Sequence, residues 1–244
     1  MTDVGMTAVN EAFGRALDAV NAYLNHWLEP LGLLADEVSA AIEPASVGSL
    51  RDEDLAGLAE GMIRQLEASP DVIGHGFVAA PDVMSGLEHY LLWFQRRTNG
   101  IRRLKLNLSA TDPDLYDYLD TDWFAGARRR VGPVLYGPYV DYAGADFLVL
   151  TIAVPVMVGE RFVGVAGADL DPDAVESALV MRLRNLPGDA VIVTEDRSVV
   201  ASGSARWMPG ERLAAHPSSE PDGWLAQAAL APWSGWSLAL AAPA

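Results

Sequence analysis

Phe147-Leu148-Val149-Leu150-Thr151-Ile152-Ala153-Val154-Pro155-Val156-Met157-Val158-Gly159-Glu160-Arg161-Phe162-Val163-Gly164-Val165-Ala166-Gly167-Ala168-Asp169-Leu170 decides the fold. A twelve-residue apolar run, Phe147 to Val158, is followed after Gly159-Glu160 by a second one, Phe162 to Asp169. The first run is too short to cross a bilayer, which takes ~20 residues as a helix. Val158-Gly159-Glu160-Arg161 between two long apolar stretches is a hairpin signal, so the pair reads as adjacent antiparallel strands.

Working outward, further strand-like segments stand at Ile73–Ala79, Tyr90–Gln95, Leu104–Leu108 and Val134–Val140, separated by Gly, Pro, Asn and Asp. Asp112–Arg130 carries Tyr116, Leu119, Trp123, Phe124 and Ala127 at helix-like spacing, which predicts a helical crossover. Upstream, Val9, Phe13, Leu17, Val20, Leu24, Trp27, Leu28, Leu31 and Leu34 repeat at helical spacing across residues 7–43, with a kink predicted at Pro30. A second helix, Leu50–Leu66, is capped by Ser49 or Asp52 and ends before Pro70. Downstream, Pro172 opens a helix over about Ala174–Leu186 in its favoured first turn. Past Pro187-Gly188-Asp189 come shorter strands at Ala190–Thr194, Val199–Ser202, Trp224–Leu230 and Trp236–Ala241, with a polar loop over Ser202–Asp222. The fold class is α+β. The division read from the sequence is a helical segment 1–70, a sheet domain 71–187 and a smaller β-rich unit 188–244.

The chain has 244 residues, half of them hydrophobic, and a formal net charge of -16. Nucleic acid and anionic membrane are repelled by such a charge, and a cationic or neutral partner fits it better. There is no cysteine, which excludes disulfides, thiolate catalysis and Cys-based zinc sites. Met1-Thr2-Asp3-Val4-Gly5-Met6 has no basic stretch leading into an apolar segment, and no run reaches a membrane-spanning length, so a soluble cytoplasmic protein is expected. Gly164 and Gly167 lie inside a strand instead of at a strand-to-helix turn, and Ser202-Gly203-Ser204 has no nucleophile-elbow pattern. His75 and His89 lack metal-ligand spacing. Arg96, Arg97, Arg102, Arg103 and Lys105, and Arg128-Arg129-Arg130, read as solvated faces or a surface for an acidic neighbour. The reading is non-enzymatic, with no cofactor and no metal.

Two carboxylates stand out. Asp141 and Asp169 each end a strand in an apolar and aromatic neighbourhood, so both could point into one pocket and hold a cation. Without a cation they would repel each other. Tyr116, Trp123, Tyr139 and Trp93 could add cation–π faces, each contributing about 0.5–2 kcal/mol. Plainer roles stay open: core packing for Trp123, Phe124 and Tyr139, and turn or helix capping for Asp141 and Asp169.

Tyr136-Gly137-Pro138-Tyr139-Val140-Asp141, Leu150-Thr151-Ile152-Ala153-Val154-Pro155-Val156 and Gly164-Val165-Ala166-Gly167-Ala168-Asp169-Leu170 resemble, in order and spacing, the central run of double Cache (PAS-like, PDC) sensor domains. Val191–Asp196 and Gly235-Trp236-Ser237-Leu238 resemble strands of the family's second, smaller half. The resemblance implies a long N-terminal helix, a PAS-like antiparallel sheet domain and a second PAS-like unit, here as a soluble stand-alone form. It places Tyr116, Trp123-Phe124, Tyr139, Asp141 and Asp169 on the ligand-holding positions of the amino-acid-binding members. Thr121 falls where those members carry an Arg for the ligand carboxylate, and Thr cannot make that bidentate pair. The resemblance therefore points to the amine-binding subgroup: a sensor of a cationic amine or quaternary ammonium ligand, with Trp93 and Thr121 as further lining residues. Signalling by homodimerisation through the helix Val9–Leu34, or to a transcription regulator or other partner, is expected. The alternatives are an amino-acid sensor and a dimerisation scaffold with a degenerate pocket.

Overall fold

The computed structural model describes residues 3–109, 111–113, 115–130, 132–141 and 147–243, with the side chains of Asp3, Val4, Arg130 and Phe147 outside that description. They form two compact units, Trp27–Pro172 and Met1–His26 with Asp173–Ala244. The segment read as residues 1–70 is thus divided at residue 26.

The long helix is two: α1 (Asp3–Asn25) and α2 (Leu28–Ala41). The break falls at His26 and Trp27, ahead of the kink predicted at Pro30. A proline ring clashes with the carbonyl four residues earlier, here that of His26, but fits the first turn of a new helix. The second predicted helix is also split, into α3 (Asp52–Leu55) and α4 (Ala59–Ala68), with a 3-10 turn at Ala56–Leu58. The start of α3 is fixed by the Arg51 N–H, which donates to Asp54 Oδ2 at 2.8 Å.

The larger unit is built on β1 (Val72–Ala79), β2 (Leu91–Arg97), β3 (Gly100–Arg103), β4 (Val134–Asp141), β5 (Phe147–Val158) and β6 (Arg161–Leu170). They form one antiparallel sheet in the order β3-β2-β1-β6-β5-β4. The hairpin is where the sequence predicted it, with Val158 opposite Arg161 and Gly159 in the left-handed region at φ 60°. Helices α2 and α4 cover one face, and α5 (Asp122–Arg130) lies against β4, β5 and β6 on the other. Alternation separates the faces: Ala168 points toward α2 and α4, whereas Gly167 and Asp169 point toward the side of α5. Covering both faces of β1 and β6 explains why their sequences run apolar without alternation.

Two sequence expectations on the α5 side are corrected. Leu104–Leu108 is not a strand; the ladder stops at Arg103, apart from a Leu104 N–H bond to Trp93 O at 2.7 Å. Its alternation is real, since Leu104 and Leu106 turn into a cavity while Lys105 and Asn107 face solvent. The crossover is helical only from Asp122. Before that, Pro113 and closely spaced aspartates favour turns, and Asp117 Oδ1 accepts the Leu119 N–H at 3.0 Å.

In the other unit, β7 (Asp189–Thr194), β8 (Val199–Ser202), β9 (Ala226–Ala229) and β10 (Trp236–Ala241) make a sheet in the order β8-β7-β10-β9, preceded by α6 (Pro172–Leu183). Val191, Val193, Val199, Leu213 and Ala239 form a small core, flanked by Trp207 stacked on Trp224 at 5.4 Å. Helix α1 is tied in by Asn21 Oδ1, which accepts the Ala231 N–H at 2.8 Å, and by Asn25 Oδ1, which accepts the Trp233 indole N–H at 2.9 Å. Val9, Phe13, Val20 and Leu24 are buried within the single chain, so the apolar stripe read as a docking surface is already covered. Among the described residues no helix is long and apolar enough to cross a membrane.

Candidate ligand-binding site

A cavity of about 450 Å³, counted out to open solvent, lies on the α5 side of the larger unit's sheet. Its floor is the Trp93 indole, laid across β1 and β6. Glycines make that possible: a Cβ on Gly74 would sit 2.5 Å from Trp93 Nε1, and one on Gly167 would sit 3.1 Å from Trp93 Cζ3. Leu104, Leu106, Tyr116 and Tyr118, from the irregular segment after β3, and Trp123 of α5 wall the space. Tyr118 anchors that segment, since its hydroxyl donates to Ala79 O at 2.7 Å and accepts the Tyr90 N–H at 2.9 Å.

The polar side of the cavity depends on an irregularity in β4. Tyr136 lies opposite Thr151 and Tyr139 opposite Val149, so three steps along β4 match two along β5. Gly137 allows this bulge, with φ at 110° and no side chain where a Cβ would lie 2.7 Å from Val149 O. The extra residue brings Tyr136 and Tyr139 onto the same face, their rings 5.2 Å apart, and Asp141 follows on it.

Tyr139 Oη and Thr151 Oγ1 are 2.9 Å apart, and Thr151 Oγ1 donates to Asp169 Oδ1 at 2.7 Å. Asp141 and Asp169 are both buried. Burial pushes the Asp169 carboxyl up to about 7, with the Thr151 bond working against that rise and the nearby Asp141 charge adding to it. Burial and the neighbouring carboxylates also push the Tyr116 and Tyr139 hydroxyls up, so both phenols stay protonated. Among the described lining residues there is no Lys, Arg or His. Such a site is arranged to accept positive charge.

Of the eight residues singled out in the sequence, Trp93, Tyr116, Trp123, Tyr139, Asp141 and Asp169 line this cavity, and Thr121 and Phe124 do not. Thr121 Oγ1 donates to Tyr118 O at 2.6 Å at the start of α5. Phe124 is fully buried against Tyr118, Trp123 and Phe162. The Asp169 carboxylate faces the cavity and its bond is to Thr151, not to the helix after it. Sequence reasoning missed Thr151, although a lone hydroxyl within a twelve-residue apolar strand was a visible signal. It also missed Tyr118 and Gly167. The Trp123 indole N–H is buried without an acceptor among the described residues.

His75, Arg96, Arg103, Arg128 and Arg129 lie outside the cavity lining. His75 lies on the opposite face, with Nδ1 3.1 Å from Gly167 O and Nε2 2.7 Å from Gln65 Oε1; burial lowers its pKa to about 4. Arg96 donates to the Leu66, Ser69 and Val72 carbonyls around the end of α4. Arg103 pairs with Asp52, which also accepts the Tyr90 hydroxyl at 2.7 Å. Arg128 and Arg129 are exposed.

An antiparallel sheet helix-covered on one face, with a polar and aromatic cavity on the other, is the build of a PDC sensor domain. Residues 59–176 match the family described as methyl-accepting chemotaxis protein-like, first PDC sensor domain, and this stretch is similar to sensor domains of that chemoreceptor type. A 109-residue stretch is 28% identical to methyl-accepting chemotaxis protein PscA of Pseudomonas syringae pv. tomato, covering 45% of this chain and 17% of that relative's length. Among solved structures, the ligand-binding domain of the Campylobacter jejuni chemoreceptor Tlp3 with 4-methylisoleucine is similar at a TM-score of 0.65 and 10% identity, over 96% of this chain and 89% of that one. The Pseudomonas fluorescens chemoreceptor CtaA ligand-binding domain with L-valine gives 0.62 and 17%, over 99% and 98%. The extracellular domain of the putative histidine kinase soHK1S-Z6 gives 0.56 and 19%, over 97% and 96%. At these identities the likeness concerns the fold.

Proposed function

We propose that this protein is a non-catalytic sensor whose cavity takes a ligand bearing a protonated amine. The ammonium would lie between Asp141 and Asp169, walled by Trp93, Tyr116, Trp123 and Tyr139. One observation carries the reading: two buried carboxylates share an aromatic cavity without a cationic side chain among its described lining residues. A ligand cation offsets the mutual repulsion and the desolvation of two buried carboxylates. Output would pass to a partner protein or through pairing of chains.

A second reading, an α-amino acid ligand, is favoured by the unpartnered Trp123 N–H, which could meet a ligand carboxylate, and by the amino acids in the similar chemoreceptor structures. Isobutylamine and L-valine separate the two, because they differ only by the carboxylate. Calorimetric titration should give tighter binding of isobutylamine if the amine reading holds and of L-valine if the second does. Heat from neither would reject both. Asp141→Ala should weaken amine binding roughly tenfold or more, as loss of one partner of a buried charge pair does. An unchanged affinity would speak against the assignment.

A further inference from the structure

Thr151 sits where two hydrogen bonds meet, and its one proton makes their direction consequential. With Asp169 ionised, the carboxylate only accepts, so the Thr151 proton goes to Oδ1 at 2.7 Å. Thr151 can then only accept from Tyr139 at 2.9 Å, and the Tyr139 proton is spent inside the chain. The oxygen that Tyr139 presents to the cavity is left with lone pairs alone. With Asp169 protonated the chain can run the other way: Asp169 donates to Thr151, Thr151 donates to Tyr139, and the Tyr139 proton turns outward.

We propose that Thr151 is a positioning residue that couples the protonation of Asp169 to the hydrogen-bonding polarity of Tyr139, so that the cavity presents acceptors to an ammonium only when Asp169 is charged. This rests on the amine reading above. Facing Asp169 are Asp141 and Tyr139 from β4, Tyr116 and Tyr118 from the segment after β3, and Trp93 from β2, with no cationic side chain among the described lining residues. Behind the sheet, His75 contacts the Gly167 carbonyl. Because burial brings the Asp169 carboxyl up to about 7, both directions of the chain lie within the ordinary pH range.

The test is the pH profile of isobutylamine affinity, by calorimetry from pH 5.5 to 8.5, where a primary alkylamine with a pKa of about 10 stays protonated. In the wild type the affinity should rise by about tenfold from pH 6 to pH 8, the factor expected when a group titrating near 7 must be ionised. Thr151→Val keeps the shape but removes both bonds. It should weaken binding and move the midpoint to higher pH, since the Thr151 bond is what holds the Asp169 carboxyl down. Thr151→Ser should restore the midpoint, which a loss of packing would not. Tyr139→Phe, which leaves the Thr151–Asp169 bond, should weaken binding at high pH while leaving the midpoint near that of the wild type, and it carries the test if the Val variant does not fold. A Val or Phe variant with wild-type affinity across the range overturns the relay. Absence of isobutylamine binding by the wild type overturns the amine reading and the relay with it.

Discussion

Asp169 carries the sharpest consequences of any single residue. Its carboxyl titrates near 7 in the folded protein against an ordinary 3.8, so between about pH 4 and 7 the native state holds a proton that the unfolded chain has released. Stability therefore falls as pH rises through that window. His75 acts with the opposite sign: its pKa is lowered from 6.5 to about 4, so its contribution is present above 6.5 and lost as pH falls through 4. Comparing Asp169→Asn with the wild type isolates the first effect. Urea unfolding should show the variant's advantage growing from pH 5 to pH 7.5, and a constant difference would reject the burial argument. The two aspartates and four aromatic rings were legible in the sequence because strand ends and alternation limit where such side chains can point. Thr151 left a signal, a lone hydroxyl in an apolar strand, but its role depends on Asp169 and Tyr139 on the neighbouring strands, and the strand's own sequence does not name them.

At the level of elements, the bulge in β4 is what aims Tyr139 and Asp141 into the cavity. Gly137→Ala places a Cβ 2.7 Å from Val149 O at φ 110°, and strain of this kind costs about 1–3 kcal/mol. The variant should melt lower and bind isobutylamine more weakly; a lower midpoint with intact affinity would show that the register survives without glycine. Gly74→Ala tests the floor, because the new methyl would meet Trp93 Nε1 at 2.5 Å. It should reduce affinity and perturb tryptophan fluorescence together. The β5–β6 hairpin was readable because both strands are covered on two faces and run apolar throughout. The segment after β3 was misread as a strand because residues lining a cavity alternate as strand residues do, and sequence alone does not show whether the backbone partner is present. The split of the N-terminal helix was half-readable: Pro30 announced a break, but the steric clash acts on the turn before it.

For the whole molecule, ligand binding should appear as thermal stabilisation. Saturation at a hundred times the dissociation constant adds about 2.7 kcal/mol, and a chain of this size gains roughly 2–4 °C per kcal/mol. At one isobutylamine concentration, a hundred times the wild type's dissociation constant, Asp141→Ala should gain about half the wild-type stabilisation or less, since a tenfold weaker site adds only about 1.4 kcal/mol; equal shifts in both would place the ligand elsewhere. The division into units was the least legible feature, because α1 joins a sheet more than 150 residues further along and no local pattern marks so distant a partner. The larger unit is thus an insertion within the other, with residues 27–172 threaded between α1 and its partners. On a ribosome this fixes an order. Asn21 is translated 210 residues ahead of its partner Ala231, and Asn25 208 residues ahead of its partner Trp233. The larger unit's sheet has all its strands available well before then, while α1 waits through the synthesis of residues 27–172 with its apolar stripe uncovered by its later partners and open to chaperone capture.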